Sequence, residues 1–330
     1  MNRKKILITG GTGTFGKAFV KFSAKRKDIE KILIYSRDEM KQWNMSKDLG
    51  ISEKIQYVIG DVRDFSRLNS VIRDNQIDYI VHAAATKIVL SAEFNPEECI
   101  KTNILGAMNI VEASKNNNVK KVIALSTDKA SNPINLYGAT KLASDKLFIS
   151  ANLNKTNQST VFSIVRYGNV MGSRGSVIPF FLSLNKNEKF PITNLQMTRF
   201  MIPVEESLKM VFIALEKSIG GETFIRKSPS IKITDLAKYI NPKTKFRVVG
   251  ERAGEKIHEQ MIGSDESKFV YDFKDYYIIF PAIINLKIFS KIIKTGKRVK
   301  KGFVYSSDNN NSWLSLKQFL KWLNKFQIED

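Results

Sequence analysis

Ser126-Thr127-Asp128-Lys129 and, eight residues on from the lysine, Tyr137-Gly138-Ala139-Thr140-Lys141 bring hydroxyls, a carboxylate, two amines and a phenol into one short segment. On a helix Tyr137 and Lys141 are four apart and share a face, so the ammonium can sit beside the phenol. A free tyrosine ionises near pH ~10, and a cation within roughly 4–6 Å favours the phenolate, which predicts Tyr137 as a base near neutral pH. Thr127, closing the apolar run Val122-Ile123-Ala124-Leu125, would orient a substrate alcohol. These groups suffice for a hydride transfer and a separate proton transfer, the chemistry of oxidising, eliminating from and reducing one bound substrate. Tyr-x-x-x-Lys alone also describes a surface helix with an interfacial tyrosine, so the flanking elements decide.

Those elements read as a nucleotide site. Lys5-Ile6-Leu7-Ile8 has the pattern of a buried strand, and Thr9-Gly10-Gly11-Thr12-Gly13-Thr14-Phe15-Gly16 opens a helix that places Phe15, Ala18, Phe19 and Phe22 near one face. The glycines permit a tight bend and let backbone approach a pyrophosphate at the helix N-terminus. Gly11, Gly13 and Gly16 give the ordinary dinucleotide spacing, and Gly10, Gly13 and Gly16 a wider variant; both put a phosphate at the same helix end. The second strand, Lys31-Ile32-Leu33-Ile34-Tyr35, ends in Ser36-Arg37, where a cofactor ribose would lie. An arginine there accommodates a 2′-phosphate and favours NADP, although Asp38 is the neighbour an NAD site would use. A third strand over 55–59 leads to Asp61-Val62, expected at the adenine edge, and a fourth over 79–81 to His82-Ala83-Ala84-Ala85, small enough for backbone to lie against the cofactor. A helix with Ile100, Ile104, Ala107 and Val111 on one face precedes the strand into Thr127. The alternation predicts an α/β, Rossmann-like, doubly wound parallel sheet.

Over nearly its whole length the chain resembles the extended short-chain dehydrogenase/reductases, and among them the inverting UDP-N-acetylglucosamine 4,6-dehydratases of the pseudaminic acid type. The resemblance rests on the glycine turn, Tyr35-Ser36-Arg37-Asp38-Glu39, Gly60-Asp61-Val62-Arg63-Asp64, Asn95-Pro96, Lys101-Thr102-Asn103, residues 125–141, Arg166-Tyr167-Gly168-Asn169-Val170, Gly172-Ser173-Arg174-Gly175-Ser176-Val177, Met197-Thr198-Arg199-Phe200 and Gly254-Glu255-Lys256. The Asp128-Lys129-Ala130 segment is the most specific, since many sugar-nucleotide relatives carry Asp-Glu there. Ile88 and Leu90, beside Lys87, and Met201 depart from the family pattern.

The resemblance implies a division of labour. Tyr137 takes the proton of the sugar 4-hydroxyl as hydride leaves C4; Lys129, its amine made neutral by burial and by the neighbouring charge of Lys141, removes the C5 proton; Asp128, protonated, serves the departing 6-hydroxyl. Hydride returns to C6, and protonation from the other face inverts C5. Because neighbours in a strict strand point to opposite faces, the strand must end near Thr127 for Asp128 and Lys129 both to reach the sugar. Arg174, Arg199 and Arg252 are expected at a UDP diphosphate, with Lys87, Asn169 and Glu255 as further sugar-nucleotide contacts. Residues 1–169 would form the NADP-binding domain and 170–330 a smaller substrate domain, some of it returning to the first.

Composition agrees. A chain of 330 residues can hold two lobes. A single cysteine, Cys99, excludes an intrachain disulfide and suits a reducing cytosol. His82 and His258 alone offer neither a metal cluster nor a histidine triad, and the basic run 1–5 is followed by a strand too short for a signal peptide or a membrane span. The formal charge of +21, with Lys287, Lys291, Lys294, Lys297, Arg298, Lys300 and Lys301 uninterrupted by acid, raises the alternative of a polyanion-binding module, but no nucleic-acid motif accompanies it and no nucleic-acid partner is expected. A nucleotide-sugar epimerase or reductase is the nearer alternative. Members of the resembled family commonly form hexamers, so a homo-oligomer is expected.

Overall fold

The computed structural model describes residues 3–50, 52–153, 160–185 and 187–325; Met1 and Asn2, at the head of the N-terminal basic run, lie outside them. The strands are β1 (Lys4–Thr9), β2 (Ile29–Ser36), β3 (Ile55–Ile59), β4 (Tyr79–His82), β5 (Lys121–Thr127), β6 (Val161–Tyr167), β7 (Asn169–Val170), β8 (Phe190–Ile192), β9 (Thr198–Ile202), β10 (Thr223–Arg226), β11 (Ser230–Lys232), β12 (Phe246–Val248), β13 (Gln260–Ile262), β14 (Val270–Asp272), β15 (Tyr276–Ile279), β16 (Lys297–Arg298) and β17 (Tyr305–Ser306). The helices are α1 (Thr14–Ala24), α2 (Glu39–Leu49), α3 (Phe65–Asp74), α4 (Val89–Phe94), α5 (Pro96–Ile100), α6 (Gly106–Asn116), α7 (Leu136–Ser150), α8 (Val177–Leu182), α9 (Val204–Lys217), α10 (Ile233–Ile240), α11 (Ser290–Ile293) and α12 (Leu316–Leu323).

The first six strands pair in parallel in the order β3-β2-β1-β4-β5-β6, reversing between β1 and β4. The apolar runs of the inner strands are buried on both faces, as a parallel sheet demands, while the edge strand β3 leaves Ile59 exposed. Phe15, Phe19 and Val20 of α1, Met45 of α2 and Leu208, Val211 and Ala214 of α9 cover one face; Leu68, Val71 and Ile72 of α3, Ala107, Ile110 and Ala113 of α6 and Phe148 of α7 cover the other. Phe22, expected near one face with Phe15 and Phe19, is 41% exposed and packs on Phe212, ring centroids 5.2 Å apart.

Beyond residue 170 the chain both leaves this sheet and comes back to it. β10 pairs in parallel with β6, then β15, β14 and β16 extend the sheet antiparallel to ten strands. A second core, built on Met171, Ile178, Phe181, Phe190, Ile192, Leu236 and Phe319, lies between α8, α10, α12 and the short strands β8 and β9.

The expected helical face through Ile100, Ile104, Ala107 and Val111 is broken by a π-helical turn over Lys101–Leu105, after which the register is rotated. Ile100 turns outward, 43% exposed, while Asn103 turns in. Its amide accounts for the rotation: it accepts from Thr86 N at 2.9 Å and donates to Thr86 O and Thr140 Oγ1 at 3.0 Å, so a buried polar side chain finds full hydrogen bonding.

Candidate active site

The reactive segment lies at the C-terminal edge of the parallel sheet, beside the β1/β4 crevice where open α/β sheets bind ligands. β5 stops at Thr127, whose side chain accepts from Lys129 N at 3.3 Å, and Asp128–Ala130 forms a 3₁₀ turn. That turn lifts the alternation of the strand and lets successive side chains share one region. Thr127 Oγ1 and Lys129 Nζ both donate to Asp128 Oδ1, at 3.0 and 3.1 Å.

Helix α7 is fixed over this turn at its first residues. Asn135 caps it, accepting from Gly138 N at 2.7 Å and donating to Gly254 O at 2.7 Å; Glu93 Oε1 accepts from Leu136 N at 2.7 Å. Tyr137 is therefore held from three sides while remaining half-buried. Further along, Asp145 accepts from Ser126 Oγ at 2.7 Å and faces Arg166 at 3.6 Å, which donates to Glu266 at 3.0 Å. This chain locks β5, α7, β6 and a 3₁₀ turn over Ser264–Phe269 together.

The electrostatics differ from expectation in two respects. Burial pushes the Tyr137 phenol up to about 12, against the opposing influence of the Lys129 charge and the Thr127 hydroxyl. The cation acting on it is thus Lys129 rather than Lys141. Lys141 is buried, which lowers its ammonium pKa, and its charge is offset by Asp145. Lys129 also departs from the neutral amine foreseen. Burial would lower its pKa, but Asp128 and Glu259, each 3.1 Å away, more than reverse this and hold the ammonium. Asp128, 1% exposed, is shifted towards its protonated form by burial despite Lys129.

The glycine turn has the geometry of a phosphate cradle. Gly10 has φ of +65°, and a Cβ there would lie 2.8 Å from Ala84 N; a Cβ on Gly16 would lie 2.4 Å from Gly11 O. Gly13, at the N-terminus of α1, donates to Gly10 O at 3.0 Å, and Thr14 and Phe15 begin the helix. Thr9 Oγ1 accepts from Ala83 N and Ala84 N at 3.2 Å, bringing the β4 loop against the turn. His82 beside it hydrogen-bonds Thr9 Oγ1 at 2.8 Å and is kept neutral, its pKa pushed down to about 3 by burial. These glycines let the turn, the β4 loop and the start of α1 pack backbone on backbone, and the bare helix N-terminus this leaves fits a dinucleotide phosphate. Ser36 is held by Gln42 Nε2 at 3.0 Å, and Arg37 extends beyond β2 with its side chain 58% exposed. Asp61 is engaged by Arg63, at 2.7 and 2.9 Å, and by Arg37 at 3.6 Å, so its carboxylate is largely committed within the protein. Val62 is buried against Gly106.

The substrate-binding residues foreseen do not all meet. Arg174 lies across the glycine turn, its Nη2 donating to Thr12 O at 2.6 Å and its backbone N to Thr14 Oγ1 at 3.3 Å. Lys87 joins it through Arg174 O at 3.1 Å. Arg199 is buried and spends its guanidinium on Thr198 O, Ile257 O and Lys256 O at 2.7–2.9 Å, besides Glu255 at 3.7 Å; it clamps the 255–259 segment instead of presenting itself to a diphosphate. Arg252 is exposed, Glu255 retains a buried unpaired Oε2, and Asn169 sits on β7 opposite Met201. Two residues that sequence reasoning passed over complete the site. Lys256 donates to Ser131 O at 2.8 Å, and Glu259 faces Lys129. Lys256 belongs to the Gly254-Glu255-Lys256 marker without an assigned role there, and the one signal for Glu259 is its nearness to that marker. Among the described residues no group of three or more His, Cys, Asp or Glu is arranged to hold a metal, and no helix is long and apolar enough to cross a membrane.

Comparison with known proteins agrees with this geometry. A family model described as polysaccharide biosynthesis protein matches residues 6–281. The inverting UDP-N-acetylglucosamine 4,6-dehydratase of Campylobacter jejuni is 52% identical over 330 residues, 98% of each chain. A UDP-glucose 4-epimerase of Rickettsia bellii is 44% identical over 284 residues, 84% of this chain and 82% of that one. The X-ray structure of Pen from Bacillus thuringiensis superposes with a TM-score of 0.89 at 35% identity, covering 100% of this chain and 99% of Pen. Its sheet order, its glycine turn and these relatives together make the chain a member of the polysaccharide biosynthesis protein family, within the extended short-chain dehydrogenase/reductases.

Proposed function

We propose that the protein is a UDP-N-acetylglucosamine 4,6-dehydratase that inverts C5 and yields a UDP-4-keto-6-deoxy-L-hexosamine for later steps of the pseudaminic acid type, working in the cytoplasm. The observation that carries this reading is the Asp128–Lys129 contact of 3.1 Å beside Tyr137, an acid and an amine on one turn with a phenol from the first turn of α7. The 52% identity to a dehydratase of that name supports the substrate.

A nicotinamide cofactor bound in the glycine cradle would supply the hydride acceptor and donor for this chemistry. Gly10, Thr12, Gly13, Thr14, Phe15, Gly16, Ser36, Arg37, Asp61, Val62, Ala83 and Ala84 would hold the dinucleotide, with Tyr137 and Lys141 beside its reactive end. Arg37 supports NADP over NAD, since its exposed guanidinium lies past the end of β2 and suits a 2′-phosphate. Thr127 orients the sugar 4-hydroxyl; Tyr137, whose buried phenol ionises only under the positive charges of Lys129 and of a bound oxidised cofactor, would then accept its proton. The resulting ketone acidifies C5–H, whose proton goes to Lys129 as Asp128 protonates the departing 6-hydroxyl. A solvent-derived proton added at C5 from the opposite face completes the inversion, and the proton taken up by Tyr137 is released to solvent. Lys87, Asn169, Arg174, Arg199, Arg252 and Glu255 line the proposed nucleotide-sugar side, Arg199 by holding the 255–259 segment. Residues 1–169 form the cofactor lobe and 170–330 mainly the substrate lobe. Exposed Phe94, Leu105 and Met108 support a homo-oligomer, with a hexamer as the expected form.

NMR of the product formed from UDP-N-acetylglucosamine in deuterated water tests the reading: the 6-deoxy-4-keto sugar should carry deuterium at an inverted C5. Lys129→Ala should reduce the bound cofactor without releasing this product. The epimerase-named relatives favour a second reading, in which a C4 epimer forms with no loss of water; that product would replace the first.

A further inference from the structure

Lys129 lies between two carboxylates, and the mechanism above uses only one. Glu259 Oε1 is 3.1 Å from Lys129 Nζ, the same distance as Asp128 Oδ1, and Glu259 is 1% exposed. Its backbone is fixed on both sides: N donates to Ser307 Oγ at 2.9 Å, and the carbonyl accepts from Ser307 N at 2.8 Å. The groups facing it are Lys129 and Asp128 from the 3₁₀ turn, Arg199 of β9 at 3.9 Å, and Lys256 from the preceding loop. The other oxygens of both carboxylates, Glu259 Oε2 and Asp128 Oδ2, are buried without a hydrogen-bond partner. Two orphaned carboxylate oxygens flanking one ammonium are costly in a finished structural ion pair, and they are what a set that moves a proton would have.

We propose that Glu259 is a positioning residue that takes the proton of Lys129 when the sugar binds, and so frees the amine to act at C5. This deepens the dehydratase reading and rests on it. The need is one of proton count. The dehydratase reading uses Asp128 as the acid, the form its burial favours, while Lys129 lies 3.1 Å from both carboxylates, whose charges outweigh burial and favour its ammonium, and on Glu259 the charges of Lys129 and Arg199 outweigh burial and favour the carboxylate. An ammonium cannot remove a C5 proton. Transfer to Asp128 is blocked while Asp128 keeps the proton owed to the leaving hydroxyl. Transfer to Glu259 breaks one N–H bond, leaves its electron pair on Nζ and forms O–H on Glu259, so acid and base coexist. Sugar binding favours it, because excluding water from a charged pair favours its neutral form. C5–H then gives its proton to Nζ, its electron pair forms C5=C6, and the C6 oxygen leaves as water with the Asp128 proton. The proton on Glu259 afterwards returns through Lys129 to Asp128.

Glu259→Gln preserves shape and an acceptor oxygen but takes up no proton. In single-turnover assays with UDP-N-acetylglucosamine it should still reduce bound cofactor while dehydration falls at least about a hundredfold, as expected for a lost acid–base function. Dehydration at the wild-type rate would overturn the proposal and leave a role in holding Lys129. A second readout needs no sugar. Reductive methylation of Lys129, followed by peptide mass spectrometry across pH, should be at least about tenfold faster at pH ~8 in Glu259→Gln, because one pKa unit of lost charge stabilisation is tenfold in free amine. Equal labelling overturns the proposal even if the sugar proves to be another. Wild-type enzyme inert towards UDP-N-acetylglucosamine, with the labelling difference intact, removes the dehydratase reading but not the Glu259–Lys129 coupling. Should Glu259→Gln fail to fold, infrared difference spectra of wild-type protein on sugar binding should gain a protonated-carboxyl band, and no such band overturns the transfer.

Discussion

Gly138 packs directly on the carbonyl of Lys129: a Cβ at Gly138 would lie 2.3 Å from that oxygen and 3.0 Å from the Pro133 side chain. The helix bearing Tyr137 therefore rests on the turn bearing Lys129 through bare backbone. Gly138→Ala must push the two apart. We expect a loss of about 1–3 kcal/mol of stability from overpacking, read by denaturant unfolding. Turnover should fall further, on the order of a hundredfold, because misplacing the reacting groups by about 1 Å costs that much. Wild-type turnover in a destabilised variant would show that the contact does not set the catalytic spacing.

Arg37 makes a second, separable prediction. Its guanidinium pairs with Asp61 at 3.6 Å but is otherwise exposed, so it can meet a phosphate without breaking the core. Arg37→Ala should weaken NADP(H) binding by roughly 10- to 100-fold, the value of a charge-assisted hydrogen bond of about 1.5–3 kcal/mol, and leave NAD(H) almost unchanged. Calorimetric titration of both cofactors checks this; equal weakening of the two would place the arginine away from the 2′-phosphate.

Acid stability should depend on Asp78. Burial opposes its ionisation, but Lys120 at 2.6 Å and Lys5 N at 2.9 Å prevail and lower its pKa. A depressed carboxyl contributes stability that is present above the unfolded value of ~3.9 and lost as pH falls through the folded value. Asp78→Asn should thus be less stable than wild type near neutrality, with the gap narrowing below about pH 4. Thermal melts across that range test the sign; a constant gap would mean that the loss is not electrostatic.

The basic stretch gives a prediction of little change. Lys297 and Arg298 form β16, at the edge of the ten-stranded sheet, and with Lys300 and Lys301 they are exposed. Exposed charges are screened beyond roughly 8–10 Å, so changing all four to Gln should leave turnover within about twofold at moderate salt. Charged edge strands resist pairing with other sheets, so the variant should self-associate more readily by light scattering. A large drop in turnover would give this face a part in assembly or substrate binding.

The sequence was most legible where function and local structure coincide. Strand, glycine turn and helix at residues 4–24, and the run into Thr127, follow from periodicity and from glycine's freedom to bend. The Tyr137 helix could be drawn from its four-residue spacing. Charge could not be assigned in the same way, because it depends on neighbours remote in the chain. Glu259, 130 positions after Lys129, decides the protonation of that lysine, yet a lone glutamate carries no motif. Arg199 reads as a phosphate ligand until its carbonyl partners at 257 and 256 are seen. The π turn at Lys101–Leu105 was equally hidden, since an apolar heptad-like spacing does not reveal that Asn103 will be drawn inward.

The return of β10, β15, β14 and β16 to the first sheet bears on how the chain can be recombined. A piece ending at Val170 would expose the edge of β6 that pairs with β10, and would leave buried Arg166 without Glu266 and the Met261 carbonyl, its partners at 3.0 and 2.8 Å. The cofactor half is therefore not a detachable cassette. A chimera that borrows substrate preference from a relative should exchange the segments around β8, β9 and α10 as insertions, and keep the strands that close the sheet in their native partnership.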